Sequence, residues 1–161
     1  MTLNITILTP LVIYQSADFR LTDARTGKPL RDASPKTVTL NYLEWNGFVT
    51  YTGIGSWRGR SMSDYLVEWL TGVPAPNIAE VAKIISDNGT RLLREIERRS
   101  SRFKHTFTLA GFVDQSPQVY VISNFEDCFG GNQTGAYDHL EISNRFLGHG
   151  EKATVIITGC N

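Results

Sequence analysis

Cysteine is scarce, charge of either sign fails to dominate and no long apolar run occurs, and each of these absences removes a class of function. Only Cys128 and Cys160 are present; far apart and outside any C-x-x-C spacing, they argue against a thioredoxin-type pair or a zinc ribbon and fit a reducing cytosol. The 16 acidic and 16 basic side chains cancel, so no long-range field steers the chain toward nucleic acid or an anionic bilayer. No stretch approaches the roughly 20 apolar residues of a membrane span. The first fifteen residues carry Asn4, Thr6, Thr9 and Pro10 and lack a basic n-region, so they do not read as a signal peptide. His105, His139 and His149 share no ligand spacing with acids or cysteines; no metal or other cofactor is expected, and the three read as ordinary polar residues. The glycine-rich stretch of Gly130, Gly131, Asn132 and Gly135 lacks the Lys-Ser/Thr ending of a phosphate-binding loop. A cytoplasmic protein with no nucleic-acid or membrane partner is the expectation.

What remains is enough for one α/β (α+β) domain. With 161 residues the chain can bury a core without disulfides or metals. Leu3 to Leu8 and Leu11 to Gln15 are β-rich runs broken at Thr9-Pro10, a hairpin. Thr37 to Leu40 and Phe48 to Thr52 flank Glu44-Trp45-Asn46-Gly47, whose Asn-Gly pair tolerates positive φ and predicts a second hairpin turn. Between the two hairpins, Gly27-Lys28-Pro29 favours a loop. Ser63 and Asp64 are candidate caps for a short helix ended by Gly72, Pro74 and Pro76. A longer helix starts after Asn77, with Ile78, Val81, Ile85, Leu92 and Ile96 on one face; Gly89 weakens it. Thr106 to Val113 and Gln118 to Ser123 read as strands joined through Asp114-Gln115-Ser116-Pro117, and Ala153 to Thr158 as a final strand.

Four pieces of the first third bear on chemistry when taken together: Thr2, the stretch Ser16-Ala17-Asp18-Phe19-Arg20, Ser34-Pro35-Lys36 before a strand, and Thr50-Tyr51-Thr52-Gly53-Ile54-Gly55 leaving one. They resemble the N-terminal-nucleophile (Ntn) hydrolases of the proteasome β-subunit type, including the peptidase subunit of the related bacterial two-component protease. The resemblance runs along roughly the whole chain and is specific over residues 2 to 55. Thr2 to Asp18 keeps the family spacing without a gap, and Asp18 to Lys36 is slightly longer. The resemblance implies an αββα sandwich shortened at its C-terminal end. After Ile156-Ile157-Thr158-Gly159-Cys160, where the family has its serine-glycine turn, two further helices and two strands would follow, so one helical layer is reduced here.

The resemblance also assigns roles. Thr2, exposed by removal of Met1, would be the nucleophile; Lys36 and Asp18 would flank it; and the Gly53 amide would donate to the oxyanion. The chemistry suits these residue types. A threonine hydroxyl is a poor nucleophile that its own free α-amine can activate, with no histidine needed. A nearby ammonium such as that of Lys36 disfavours protonation of that amine, whose unperturbed pKa is about 7.7–8.0. A carboxylate beside Lys36 would offset part of its desolvation, which gives Asp18 a supporting role. Glycine at 53 lets the backbone approach the substrate closely. The substrate would be a peptide or small amide, and by analogy the chain would form a homo-oligomer.

Other readings stay open on the sequence alone. Asp18 and Lys36 also suit a structural ion pair at a strand end, and Gly53 and Gly55 a plain turn. Retained Met1 would tie the Thr2 nitrogen into an amide and remove its basicity, leaving a catalytically inactive, proteasome-like structural or binding subunit. An unrelated ligand-binding module would instead use the loop around Gly130 with Phe125, Phe129 and Tyr137.

Overall fold

The first reversal of the chain is fixed by Thr9, whose amide donates to the Val12 carbonyl at 2.9 Å and whose hydroxyl accepts from the Val12 amide at 2.9 Å. It joins strand β1 (Thr2–Leu8) to β2 (Ile13–Ala17). The expected hairpin is thus present, its second arm beginning two residues later than the sequence suggested. The computed structural model describes residues 2–18, 21–22, 29–31, 34–74, 77–98, 104–124, 138–141 and 154–160.

A two-stranded pair, β3 (Leu21–Thr22) and β4 (Pro29–Arg31), follows. The second hairpin pairs β5 (Thr37–Asn41) with β6 (Trp45–Thr52). Its turn differs from the Asn-Gly expectation: the chain reverses at Tyr42–Trp45, where the Tyr42 amide meets the Trp45 carbonyl at 2.9 Å. Asn46 and Gly47 lie inside β6. Gly47 serves close packing, because a Cβ there would run into the Ala110 carbonyl and sit 2.8 Å from the Gly111 Cα on the neighbouring strand. The Trp45 ring covers Gly111 and stacks on Tyr42 with centroids 4.9 Å apart.

A tight hairpin that the sequence reading did not anticipate, β7 (Ser56–Trp57) and β8 (Arg60–Ser61), turns through Arg58 and Gly59, both at positive φ. It delivers Ser61 as the N-cap of α1 (Met62–Leu70). The Ser61 hydroxyl accepts from the Asp64 amide while the Asp64 carboxylate accepts from the Ser61 amide. The expected capping pair Ser63 and Asp64 is corrected by two residues: Asp64 takes part, but from the third helical position. α2 (Ile78–Glu97) opens with the same reciprocal cap between Asn77 and Glu80. Its predicted apolar face is buried throughout, and Gly89 is tolerated because it too is buried.

β9 (Thr106–Val113) and β10 (Ser116–Ser123) are joined by Asp114 and Gln115 alone, both at positive φ. Ser116 and Pro117, read as turn residues, belong to the strand; the two-residue turn follows the strand twist better than a longer loop. β11 (Asp138–Glu141) and β12 (Thr154–Cys160) complete the described elements. The glycine-rich segment around Gly130 lies outside the described residues.

Among the described residues all pairings are antiparallel, in a five-stranded sheet of order β11-β10-β9-β6-β5 and a three-stranded sheet of order β12-β1-β2, with two small ribbons. The protein is α+β. Both helices pack on one face of the larger sheet, where Val49, Tyr51, Phe107, Leu109, Tyr120 and Ile122 meet Leu66, Val81, Ile85 and Leu93. The smaller sheet packs on its other face, around Leu8, Ala110 and Val119 with Ile13, Phe48 and Ile156 against them. That second layer is polar for much of its extent: Asn4, Thr6, Thr50, Thr52, Thr106, Thr108 and Thr158 are all buried. Conversely, the outer face of the small sheet exposes Leu3, Tyr14, Val155 and Ile157.

Candidate functional site

Antiparallel pairing brings four strand ends together. The register Asn4↔Ala17 sets the start of β1 beside the end of β2. Thr37↔Thr50 sets the start of β5 beside the end of β6. The two sheets are joined at this same end, because the Asn4 amide nitrogen donates to the Thr50 hydroxyl at 3.1 Å and the Gln15 amide nitrogen donates to it as well. The backbone of Thr2, Asp18, Lys36 and Gly53 therefore gather at one end of the sandwich.

Lys36 reaches this end at the mouth of β5, where its carbonyl accepts from the Tyr51 amide at 3.3 Å. The preceding carbonyl, that of Pro35, accepts from the Ser63 hydroxyl at 2.8 Å and the Tyr51 hydroxyl at 3.2 Å. Burial pushes the Tyr51 phenol above its ordinary value, so it stays a donor. The Lys36 side chain is only 2% exposed, and its ammonium is ion-paired with the Asp18 carboxylate, itself 36% exposed. An ammonium so buried requires a nearby carboxylate. The expected Asp18–Lys36 association is present.

Gly53 ends β6 after the last ladder pair with β9, Thr52↔Thr106. It sits at φ +94°, where side-chain-bearing residues are strained, and a Cβ there would strike the Lys104 carbonyl oxygen. Only glycine fits.

Behind Gly53 is a group that sequence reading passed over. His105, expected to be an ordinary polar residue, is fully buried. Its ring is near-parallel to that of Tyr51 (centroids 6.2 Å) and edge to face with that of Phe107 (4.5 Å), with Nε2 3.2 Å from the Ile54 carbonyl oxygen. Burial pushes its pKa down to about 3, so it is neutral across the physiological range. Asn4, Gln15 and Thr50, which tie the sheets together beside the ion pair, were also missed; the available signal was a run of polar residues at alternate positions of β1.

Thr2 opens β1 and pairs in register with Cys160; its side chain, like Met1 and Arg20, lies outside what the structure describes. Among the described residues no group of three His, Cys, Asp or Glu side chains is placed to hold a metal ion. No helix of the described residues is long and apolar enough to cross a membrane. No family model matches the chain, and no curated protein matches it.

Proposed function

We propose that this chain is an N-terminal threonine hydrolase with an Ntn-type αββα architecture, cleaving a peptide or small amide bond once Met1 is removed. The observation that carries the reading is the buried Lys36 ammonium, ion-paired with Asp18 at the end of the sandwich where β1 begins. In the proposed reaction the Thr2 hydroxyl oxygen bonds to the carbonyl carbon as its proton passes to the α-amine. The oxyanion is met by the Gly53 amide. The carbon–nitrogen bond breaks with the proton going to the leaving amine, and water then hydrolyses the Thr2 ester. Lys36 disfavours protonation of the amine by placing a like charge nearby, so that the amine is free to accept the hydroxyl proton.

The test is an intact-mass measurement after incubation of Met1-free protein with a peptidyl epoxyketone, which engages hydroxyl and free amine of one residue. A single adduct mapped to Thr2 is expected; an unmodified protein would defeat the reading. Assembly into a homo-oligomer belongs to the same proposal and is read by light scattering. A second reading is an inactive structural or binding subunit, in which Met1 stays on the chain and ties the Thr2 nitrogen into an amide. Retention of Met1 on protein purified from its native host would select it.

A further inference from the structure

We infer that His105 is a positioning residue for the oxyanion donor, holding the Gly53 turn from behind; this rests on the hydrolase reading above. The turn has one soft link, the φ of Gly53, between two anchors. On the N-terminal side the ladder pair Thr52↔Thr106 fixes the strand. On the C-terminal side the Ile54 carbonyl accepts from His105 Nε2 at 3.2 Å. A carbonyl oxygen can only accept, so Nε2 carries the proton. One residue further on, the Gly55 carbonyl accepts from the Met62 amide at 2.9 Å and ties the turn to the first turn of α1.

The His105 backbone is itself held. Its amide donates to the Asn124 side-chain oxygen at 2.8 Å, and its carbonyl accepts from the Asn124 amide at 3.3 Å and the Ser123 hydroxyl at 3.4 Å. Ser123 is in turn 2.8 Å from the Thr106 hydroxyl. Tyr51 stacks near-parallel to the ring and Phe107 meets it edge to face. The His105 Cα and Cδ2 lie 3.1 and 3.2 Å from where a Gly53 Cβ would stand, so His105 fills the space that a side chain at 53 would need. A donor aimed at a developing charge works only if it does not have to reorient as the charge appears. This cluster supplies that rigidity, and the two requirements meet at a position where an imidazole offers both a flat stacking surface and one N–H.

Two probes on Met1-free protein separate positioning from simple structural support. A peptidyl β-lactone acylates Thr2: the oxygen–carbonyl bond forms through a tetrahedral oxyanion, and the ring carbon–oxygen bond breaks with the proton going to the departing alkoxide. A peptidyl vinyl sulfone alkylates the same oxygen by addition to a carbon–carbon double bond, the proton going to the α-carbon, with no tetrahedral oxyanion. His105→Phe keeps an aromatic ring and removes the donor. It is expected to slow lactone acylation by roughly tenfold or more while leaving vinyl sulfone alkylation within about twofold, and His105→Gln, which restores an N–H, is expected to recover much of the loss. Equal slowing of both probes, or no slowing of the lactone, overturns the role. Nitrogen NMR of the imidazole gives a reading independent of activity: a proton on Nδ1 instead of Nε2 overturns it outright. Wild-type protein silent toward both probes defeats the hydrolase reading, and this role falls with it, while the NMR result still judges the hold on the turn.

Discussion

Replacing Asp18 and replacing Lys36 should have opposite consequences for stability, although either change should stop the proposed reaction. Lys36 is 2% exposed and Asp18 is 36% exposed. Asp18→Ala removes a counter-charge from a buried ammonium. Breaking a fully buried pair in this way costs about 3–5 kcal/mol, and the partial exposure of the carboxylate lowers that to about 2 kcal/mol. Lys36→Met instead removes the charge that needed compensation and keeps most of the side-chain volume, so it should be neutral or stabilising by about 1 kcal/mol. Asp18→Ala made in the Lys36→Met background should then cost less than about 0.5 kcal/mol, a coupling typical of groups in direct contact. With a urea slope of about 2 kcal/mol/M, the single Asp18→Ala variant should shift the unfolding midpoint down by about 1 M, and the double variant should lie close to Lys36→Met. If Asp18→Ala costs the same in both backgrounds, the ion pair is not what holds this corner, and the argument that Lys36 is a desolvated cation fails.

Three further outcomes can be measured by the same unfolding assay. Because His105 is held near pKa 3 in the folded protein and titrates near 6.5 when unfolded, the unfolded chain binds a proton that the folded one refuses. Stability should therefore fall as pH drops from about 6.5 toward 3, by at most about 5 kcal/mol at about 1.4 kcal/mol per pH unit, and His105→Phe should flatten that part of the profile. Gly47→Ala should destabilise by more than about 2 kcal/mol, since its Cβ would meet backbone atoms of Ala110 and Gly111 that cannot move aside without parting β6 from β9. Asn77→Ala should cost about 1 kcal/mol by opening the cap of α2, and an unchanged midpoint would show the cap to be redundant.

The helices were legible because their signals are local. The stripe from Ile78 to Ile96 and the cap at Asn77 are set by neighbours within a turn, and the structure moved only the start of α1. The turn between β5 and β6 was misplaced because Asn-Gly satisfies two different needs: positive φ in a hairpin and the lack of a side chain at a tight strand crossing. Which need Gly47 meets depends on Gly111, 64 positions away, and no local pattern reports that. Of the proposed site, the resemblance implies Asp18 beside Lys36 and a glycine at 53, and the structure has the ion pair and a backbone at Gly53 that only glycine fits; what surrounds them was not legible. Hydrophobic alternation in β1 would turn Leu3, Ile5 and Ile7 inward, whereas the structure buries Asn4 and Thr6 and leaves Leu3 47% exposed. His105 carried no signal because a neutral buried imidazole and a solvated one look alike until its neighbours are known.

The pairing of Thr2 with Cys160 joins positions 158 residues apart, whereas β5–β6 and β9–β10 close over turns of a few residues. Contacts between distant positions form late, after the entropy of a long loop has been overcome by other structure. The helices and the larger sheet can assemble from short-range pieces, but the edge of the strand that begins at Thr2 stays open until β12 arrives. Completion of the strand that carries Thr2 would then be the final event of folding, and an incompletely made chain would carry the ion pair and the Gly53 turn yet have its first strand supported on one side only.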